Sequence, residues 1–377
     1  MVMSSTINDH IAKYFDVSGV SGKINGSGLM VVYWLMFVIP LFVLIGSGRV
    51  LPKERDLTLK LVCFLFVFFI GFRFQVGGDW GAYQKMYDTM VGASLTDALT
   101  VTDPGYAMLN WLMASLGLSI YAVNLVCGAI VMTGLYYFCR RQPQPMLALL
   151  IATPYLVIVV AMGYTRQSAA LGFELLALIA LTERRLWIFI LFIACAGMFH
   201  KSAILLFPLG VLGSTQNKIW VYLSIASMCL LLANALLLEH SDALMENYVT
   251  QQMQSAGGQI RVAMIALPAA IFLLFAKRLV PDKAERKLWF WMAVLSVVCI
   301  PLVFVASTAV DRIALYFLPI QLFVYTRIVG FFRKSTSRMW VSAVFVVVYG
   351  MAEWVLLNKA DYVSVYWVPY DNAAFFW

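Results

Sequence analysis

The 377 residues are 62% apolar and 12% charged, against about 45–50% and about 25% in soluble globular chains, which excludes an ordinary water-soluble enzyme. The mean hydropathy is +0.85, and about 20 apolar residues suffice per bilayer crossing, so most of the chain can lie in lipid and little is left for a separate soluble domain. The net charge of +8 would point to nucleic acid in a soluble protein, but in a polytopic chain it must first be sorted by membrane side.

Residues 1–28 are polar and rich in Gly and Ser, with no basic patch before the first apolar run. They read as an outer extension rather than a cleavable signal. Residues 29–377 then read as one all-α transmembrane domain of about twelve spans, beginning near Leu29, Leu57, Ser119, Met146, Arg166, Leu186, Ser202, Ile219, Val262, Leu288, Ile313 and Met339. No repeat, low-complexity tract or linker divides it. With the amino terminus outside, the loops 73–118 and 239–261 and the tail 357–377 also fall outside. Arg140-Arg141, Arg184-Arg185 and the dense run Lys277 to Lys287 fall inside. The positive-inside rule therefore accounts for the basic excess, and no nucleic acid is implied.

Leu186 to Gly213 is short for two crossings and long for one, with a polar break at His200, Lys201 and Ser202. Two segments are expected, because a single crossing would put Lys277 to Lys287 outside. The second, at about 1.5 Å per residue, is too short to cross fully, so the turn at His200 should sit in a recess. Pro40, Pro154, Pro208, Pro268, Pro301 and Pro319 predict kinked or broken helices. The six cysteines lie in or beside apolar runs without metal-like spacing, so neither a disulfide, a metal site nor a cofactor is expected.

Polar chemistry gathers on the outer side. Arg73, Gln75, Gly77, Gly78, Asp79 and Tyr83 follow the second span, and Asp103-Pro104-Gly105-Tyr106 opens a helix too short to cross, with Asp103 as cap and Pro104 at the first helical position. Arg166 starts a helix at a tight outer hairpin. It can snorkel to the interface, yet charged groups also mark three other outer corners: Arg73, His200 with Lys201, and Asp311-Arg312. Glu174, two turns below Arg166, would cost about 2.5–3.5 kcal/mol against lipid and should face a cavity or a partner such as Arg166. Each feature alone has a plain structural reading: a satisfied histidine, a local Asp311-Arg312 salt bridge, an interfacial belt of Tyr362, Tyr366, Trp367 and Tyr370. Together they suggest a site for an anionic, sugar-like ligand at the outer leaflet.

Taken in order, these clusters resemble the EpsG family of exopolysaccharide proteins, within the wider Wzy-type polymerases. The matching residues are Arg73, Gly77, Asp79 and Tyr83, then Asp103-Pro-Gly-Tyr106, where the family commonly has Glu for Asp103. Arg166-Gln167, Phe199-His200-Lys201-Ser202, Asp311-Arg312 with Tyr316, and Trp367-Val-Pro-Tyr370 complete the set over about Phe66 to Tyr370. The resemblance implies a GT-C-like polymerase with periplasmic half-helices in a bacterial inner membrane, both termini periplasmic. Donor and acceptor would both be undecaprenyl diphosphate-linked oligosaccharides, with a chain-length-regulating co-polymerase as a further partner. On that chemistry Arg166 and Arg312 suit the departing diphosphate, and Arg73 the same electropositive wall. His200 is the favoured base, with Asp79 close behind and Asp103 a third candidate. Gln167, Lys201 and Asp311 join the binding set, and Tyr83, Tyr106 and Tyr370 could stack on sugars or anchor loops. A flippase or exporter of lipid-linked glycan is the main rival, and a membrane O-acyltransferase or ligase acting on the same glycan the second.

Overall fold

The computed structural model describes residues 30–46, 51–214 and 257–375, with scattered residues between 219 and 230. The extension 1–28, Cys229, much of the span expected from Ile219 and most of the loop 239–261 lie outside the described residues. What is described is almost wholly helical. Helices α1 (Val31–Gly46) and α2 (Pro52–Gly71) lead to a two-residue strand β1 (Arg73–Phe74) and three short helices, α3 (Trp80–Asp88), α4 (Leu95–Val101) and α5 (Pro104–Ser115). Helix α6 (Ile120–Cys139) returns across the molecule. It is followed by α7 (Pro145–Ala152), its π-helical continuation Thr153–Ala161, α8 (Thr165–Thr182) and α9 (Leu186–Phe199). A 3₁₀ turn, Lys201–Leu206, runs into α10 (Phe207–Ser214). The remainder comprises α11 (Gly258–Leu279), α12 (Lys283–Leu302), α13 (Ser307–Ala314), α14 (Pro319–Gly330), α15 (Ser335–Lys359), α16 (Asp361–Tyr366) and β2 (Asp371–Asn372).

Every other expected span start falls within or beside a helix. The count of twelve crossings, however, is not reached by length and composition among the described residues. Three helices, α6, α11 and α15, are long and apolar enough, and a fourth crossing arises if Ser307–Phe317 and Pro319–Gly330, bent by 45°, form one broken span. Helices α1, α9 and α10 are apolar but short, and α2 and α12 open with runs of charged residues.

The expected break at His200 is present: its backbone is extended (φ −153°, ψ 112°) between α9 and the 3₁₀ turn. The prolines behave unequally. Pro319 starts α14 at the bend and Pro154 stands at the head of the π-helical stretch, whereas Pro40 and Pro268 lie inside continuous helices. Helix α11 departs from helical backbone at Phe275 instead, seven residues after its proline.

Helix α8 packs between α6 and α9 and is the centre of the bundle. Its crossing with α6 is tight enough to require glycine: a methyl group at Gly172 would lie 2.6 Å from the Ile130 carbonyl, and one at Gly134 would strike Gly172. This contact brings the start of α8, with Thr165 and Arg166, close to the start of α6. Glu174, on the same helix, is fully buried, and neither carboxyl oxygen has a hydrogen-bond partner. It does not reach Arg166, whose guanidinium is engaged with Asp103 and Thr102, so of the expected surroundings the Arg166 partner is ruled out.

The ion pairs sort by end of the bundle. Arg140 with Asp56, Arg141 with Glu183 and Arg327 with Glu285 join residues that the charge pattern puts on one side. Arg166 with Asp103 and Arg261 with Asp311 join residues of the other. No ion pair among the described residues mixes the two sets.

Candidate functional site

The site lies at the end of the bundle that carries Arg166 and Asp103. Its first component is the loop from Arg73 to Asp79. Strand β1 pairs antiparallel with β2, Arg73 opposite Asn372 and Phe74 opposite Asp371. Gly77 donates its N–H to the Tyr366 carbonyl at 2.8 Å and receives that of Trp80 on its own carbonyl at 3.0 Å. Gly77 has φ +104°, and a methyl group there would sit 2.6 Å from the Met162 carbonyl. Gly77→Ala should therefore lower stability by about 2 kcal/mol or more, read as a fall in thermal midpoint in detergent. An unchanged midpoint would show that the loop can move off Met162.

Asp79 stands at the amino end of α3 without capping it. Its carboxylate has no hydrogen-bond partner among the described residues, and it is half-buried. Burial raises its pKa above the usual carboxylate value, while Arg312 and then Arg166 pull it back down. Arg312, on α13, is exposed and makes no side-chain hydrogen bond or ion pair among the described residues. The expected Asp311-Arg312 salt bridge does not form. Asp311 turns instead to Arg261 at the start of α11, which donates from Nε at 2.8 Å and Nη2 at 2.5 Å to the two carboxylate oxygens. Asp311 thereby ties the last turn of α13 to the start of α11, and Arg312, next in sequence, points elsewhere.

Arg166, in the first turn of α8, donates from Nη1 to Asp103 Oδ2 at 2.9 Å and to Thr102 Oγ1 at 2.8 Å. Its guanidinium lies over the ring of Tyr83, 5.9 Å from the centroid. Pro104 does occupy the first position of α5, but Asp103 gives no side-chain cap. Its carboxylate is taken by Arg166 and by the Lys201 N–H at 3.3 Å, because a guanidinium outcompetes a helical amide for a carboxylate. Gln167 donates to the Arg312 carbonyl at 2.6 Å and so ties α8 to α13.

His200 occupies the turn between α9 and the 3₁₀ segment. Its Nδ1 is 2.6 Å from Ser202 Oγ, which is 3.0 Å from the Tyr316 hydroxyl. Burial holds the imidazole down to about 4, and Asp103 opposes that shift, while Arg166, Arg312 and Lys201 add to it. Ser202 and Tyr316 thus join the site beside His200. Arg261, in the first turn of an apolar helix like Arg166, is the partner of Asp311 that the sequence pattern alone does not single out.

Three residues expected to meet the ligand lie inside the protein. Arg73 is 1% exposed; it donates from Nη1 to the Ile70 carbonyl at 2.6 Å and from Nη2 to Thr165 Oγ1 at 2.7 Å and Asn124 Oδ1 at 3.3 Å. It holds the starts of α6 and α8 beneath the site rather than forming its wall. Tyr106 is 0% exposed, with its ring edge-on to Tyr83. Tyr370 is buried, donates to the Phe69 carbonyl at 2.9 Å and packs edge-on against Tyr33. The reading of Tyr106 and Tyr370 as sugar-stacking faces is corrected: both support the loops that carry the charges. The expected aromatic belt divides in the same way, since Trp367 is buried and donates to the Ile158 carbonyl at 2.8 Å, whereas Tyr362 and Tyr366 remain exposed.

The face that remains open therefore presents Asp79, Arg166, Arg312, His200 and Lys201. Among the described residues no three His, Cys, Asp or Glu side chains converge to hold a metal ion. The arrangement can bind a doubly anionic group between two guanidinium groups and offers two bases for a proton. No curated protein and no solved structure matches the chain. The model of the EpsG family matches residues 56–372, a stretch that holds all of these side chains, and the chain belongs to that family.

Proposed function

We propose that the chain is a polymerase of lipid-linked polysaccharide repeat units, acting at the periplasmic leaflet of a bacterial inner membrane. Family membership supports the coarser part, a polysaccharide-polymerase role on a lipid-linked glycan in a membrane. The observation that carries the finer part is the convergence of Asp79, Arg166 and Arg312 on one open face, two cations beside a carboxylate with no partner of its own. The GT-C-like design and the undecaprenyl carrier rest on the resemblance.

In this reading the acceptor is a repeat unit, and the donor is the growing chain on its lipid diphosphate. The acceptor hydroxyl oxygen bonds to the anomeric carbon of the donor, the bond from that carbon to the diphosphate oxygen breaks, and its electron pair leaves with the lipid diphosphate. Arg312, exposed and uncommitted, binds the departing diphosphate with bidentate geometry, and Arg166 adds charge from its place beside Asp103. The hydroxyl proton passes to a base. Asp79 takes that role here, since its oxygens have no partner among the described residues and lie beside Arg312 and Arg166, while His200, held through Nδ1 by Ser202, keeps Nε2 and is the second candidate. His200, Lys201 and Gln167 then orient the acceptor, and Tyr83 supports Arg166.

Both candidate bases give the same sign of pH dependence, so substitution separates them. A base works deprotonated, so activity falls as pH drops through its pKa, and the raised pKa of Asp79 places that fall above about pH 4, the ordinary carboxylate value. Asp79→Asn is expected to reduce elongation by about 10²–10⁴-fold and remove the acidic limb of kcat/KM. A limb near pH 4 that survives in Asp79→Asn and disappears in His200→Ala would hand the role to His200.

The test of the function itself is reconstitution with purified lipid-linked repeat unit. A ladder of longer lipid-linked glycans with release of lipid diphosphate is the expected result. Transfer of the repeat across the bilayer without elongation would favour the flippase reading instead.

A further inference from the structure

At the end of the bundle opposite the site, α11 and α12 form a hairpin around a groove of about 600 Å³, within the roughly 300–1,000 Å³ of small-ligand sites. Its polar rim carries Lys277, Arg278, Lys283, Arg286 and Lys287, while Leu274, Phe275 and Phe290 form an apolar wall. These three apolar side chains are exposed and sit beside the cations. The positive-inside rule accounts for cations at such an end. It does not account for what happens to the two carboxylates of the same hairpin.

Asp282 accepts the N–H groups of Ala284 at 3.0 Å and Glu285 at 2.8 Å, capping α12, with Arg184 4.0 Å away. Glu285 is held by Arg327 at 2.9 Å. Both are committed away from the groove, and no carboxylate is among its lining residues. Two of the cations are fixed in place. Arg286 donates from Nη1 to the carbonyls of Val280 and Pro281, and Arg278 lies over the ring of Phe331, 5.3 Å from the centroid. The break in helical backbone at Phe275 (φ −119°, ψ 18°) sets off the turn that carries Lys277 and Arg278 from the rest of α11.

We propose that this groove is a binding site for an anionic phospholipid, its phosphodiester headgroup among the cations and an acyl chain along Leu274 and Phe290. A basic pocket between membrane helices is suited to a phosphate-bearing headgroup. The apolar wall favours a lipid over free phosphate, which would gain nothing from it. The site is independent of the polymerase reading.

The test is native mass spectrometry of the full-length protein with dioleoyl phosphatidylglycerol or dioleoyl phosphatidylcholine. Wild type is expected to retain the anionic lipid about tenfold better. The triple variant Lys277→Gln, Arg278→Gln, Lys283→Gln should fall to parity, while a control with the same charge loss at the same end, Lys53→Gln, Arg333→Gln, Lys334→Gln, keeps the preference. Equal loss in both variants, or no preference in wild type, would overturn the site in favour of a diffuse surface effect. Displacement of the lipid by millimolar inorganic phosphate would overturn the choice of a lipid over a free anion. Should the triple variant fail to fold, wild type labelled with a photoactivatable phosphatidylglycerol gives the answer: crosslinks on peptides from 273 to 290 support the site, and crosslinks confined to other helices refute it.

Discussion

Arg312→Ala is expected to reduce elongation by about 10²–10³-fold, the usual cost of removing one charged donor from a developing anion. Stability should stay within about 0.5 kcal/mol of wild type, because the side chain is exposed and bonds to no described residue. That combination is what makes the variant informative: activity and stability separate. The contact that does involve this residue structurally is its backbone carbonyl, which receives Gln167 and survives the substitution. Arg312→Lys should recover only part of the loss, since an ammonium presents a point charge where a guanidinium presents a fork. Thermal unfolding in detergent beside a ladder assay reads both quantities. Near-normal ladders from Arg312→Ala would remove this residue from the diphosphate site.

Arg73→Ala should behave in the opposite way. The side chain is enclosed and serves the Ile70 carbonyl, Thr165 and Asn124 at once. Hydrogen bonds from a charged group contribute about 1.5–3 kcal/mol each and are not additive, so a loss of about 3 kcal/mol or more is expected, with poor accumulation in the membrane. Arg73→Lys cannot span the three acceptors and should fall between the two. The comparison sets two arginines of one motif set against each other: one variant should lose folding, the other chemistry. If Arg73→Ala kept its thermal midpoint and lost elongation, Arg73 would belong to the ligand site after all.

The charge pattern along the chain already separated the two ends of the bundle, and the ion pairs keep to that division because opposite charges in or near lipid must find partners at their own depth. The break at His200 was legible for a related reason, since three polar residues interrupt an otherwise continuous apolar run. The direction of each side chain was not. Asp311 and Arg312 are adjacent in sequence, but on a helix neighbours lie about 100° apart, so one reaches Arg261 and the other faces the open side. Whether Asp103 caps its helix or binds Arg166 depends on α8, which arrives some sixty residues later. The burial of Tyr106, Tyr370 and Arg73 likewise follows from partners on other elements, Tyr83, Phe69 and Thr165. An inventory of polar residues at outer corners therefore names candidates, and only tertiary contact separates those left on the open face from those that hold the frame.

The pairing of β1 with β2 carries a consequence for how the enzyme is made. The Asp79 loop is anchored by residues 366 to 373, synthesised almost three hundred positions later, through the Gly77 to Tyr366 bond and the Ala373 to Phe72 bond. A nascent chain can already expose Arg166, His200 and Arg312 and can pack its Asp79 loop near Met162, yet that loop lacks its strand partner until residues 366 to 373 are made. Completion of this face then waits for residues 366 to 373, and a chain still lacking them would carry Arg166, His200 and Arg312 without a registered Asp79 loop.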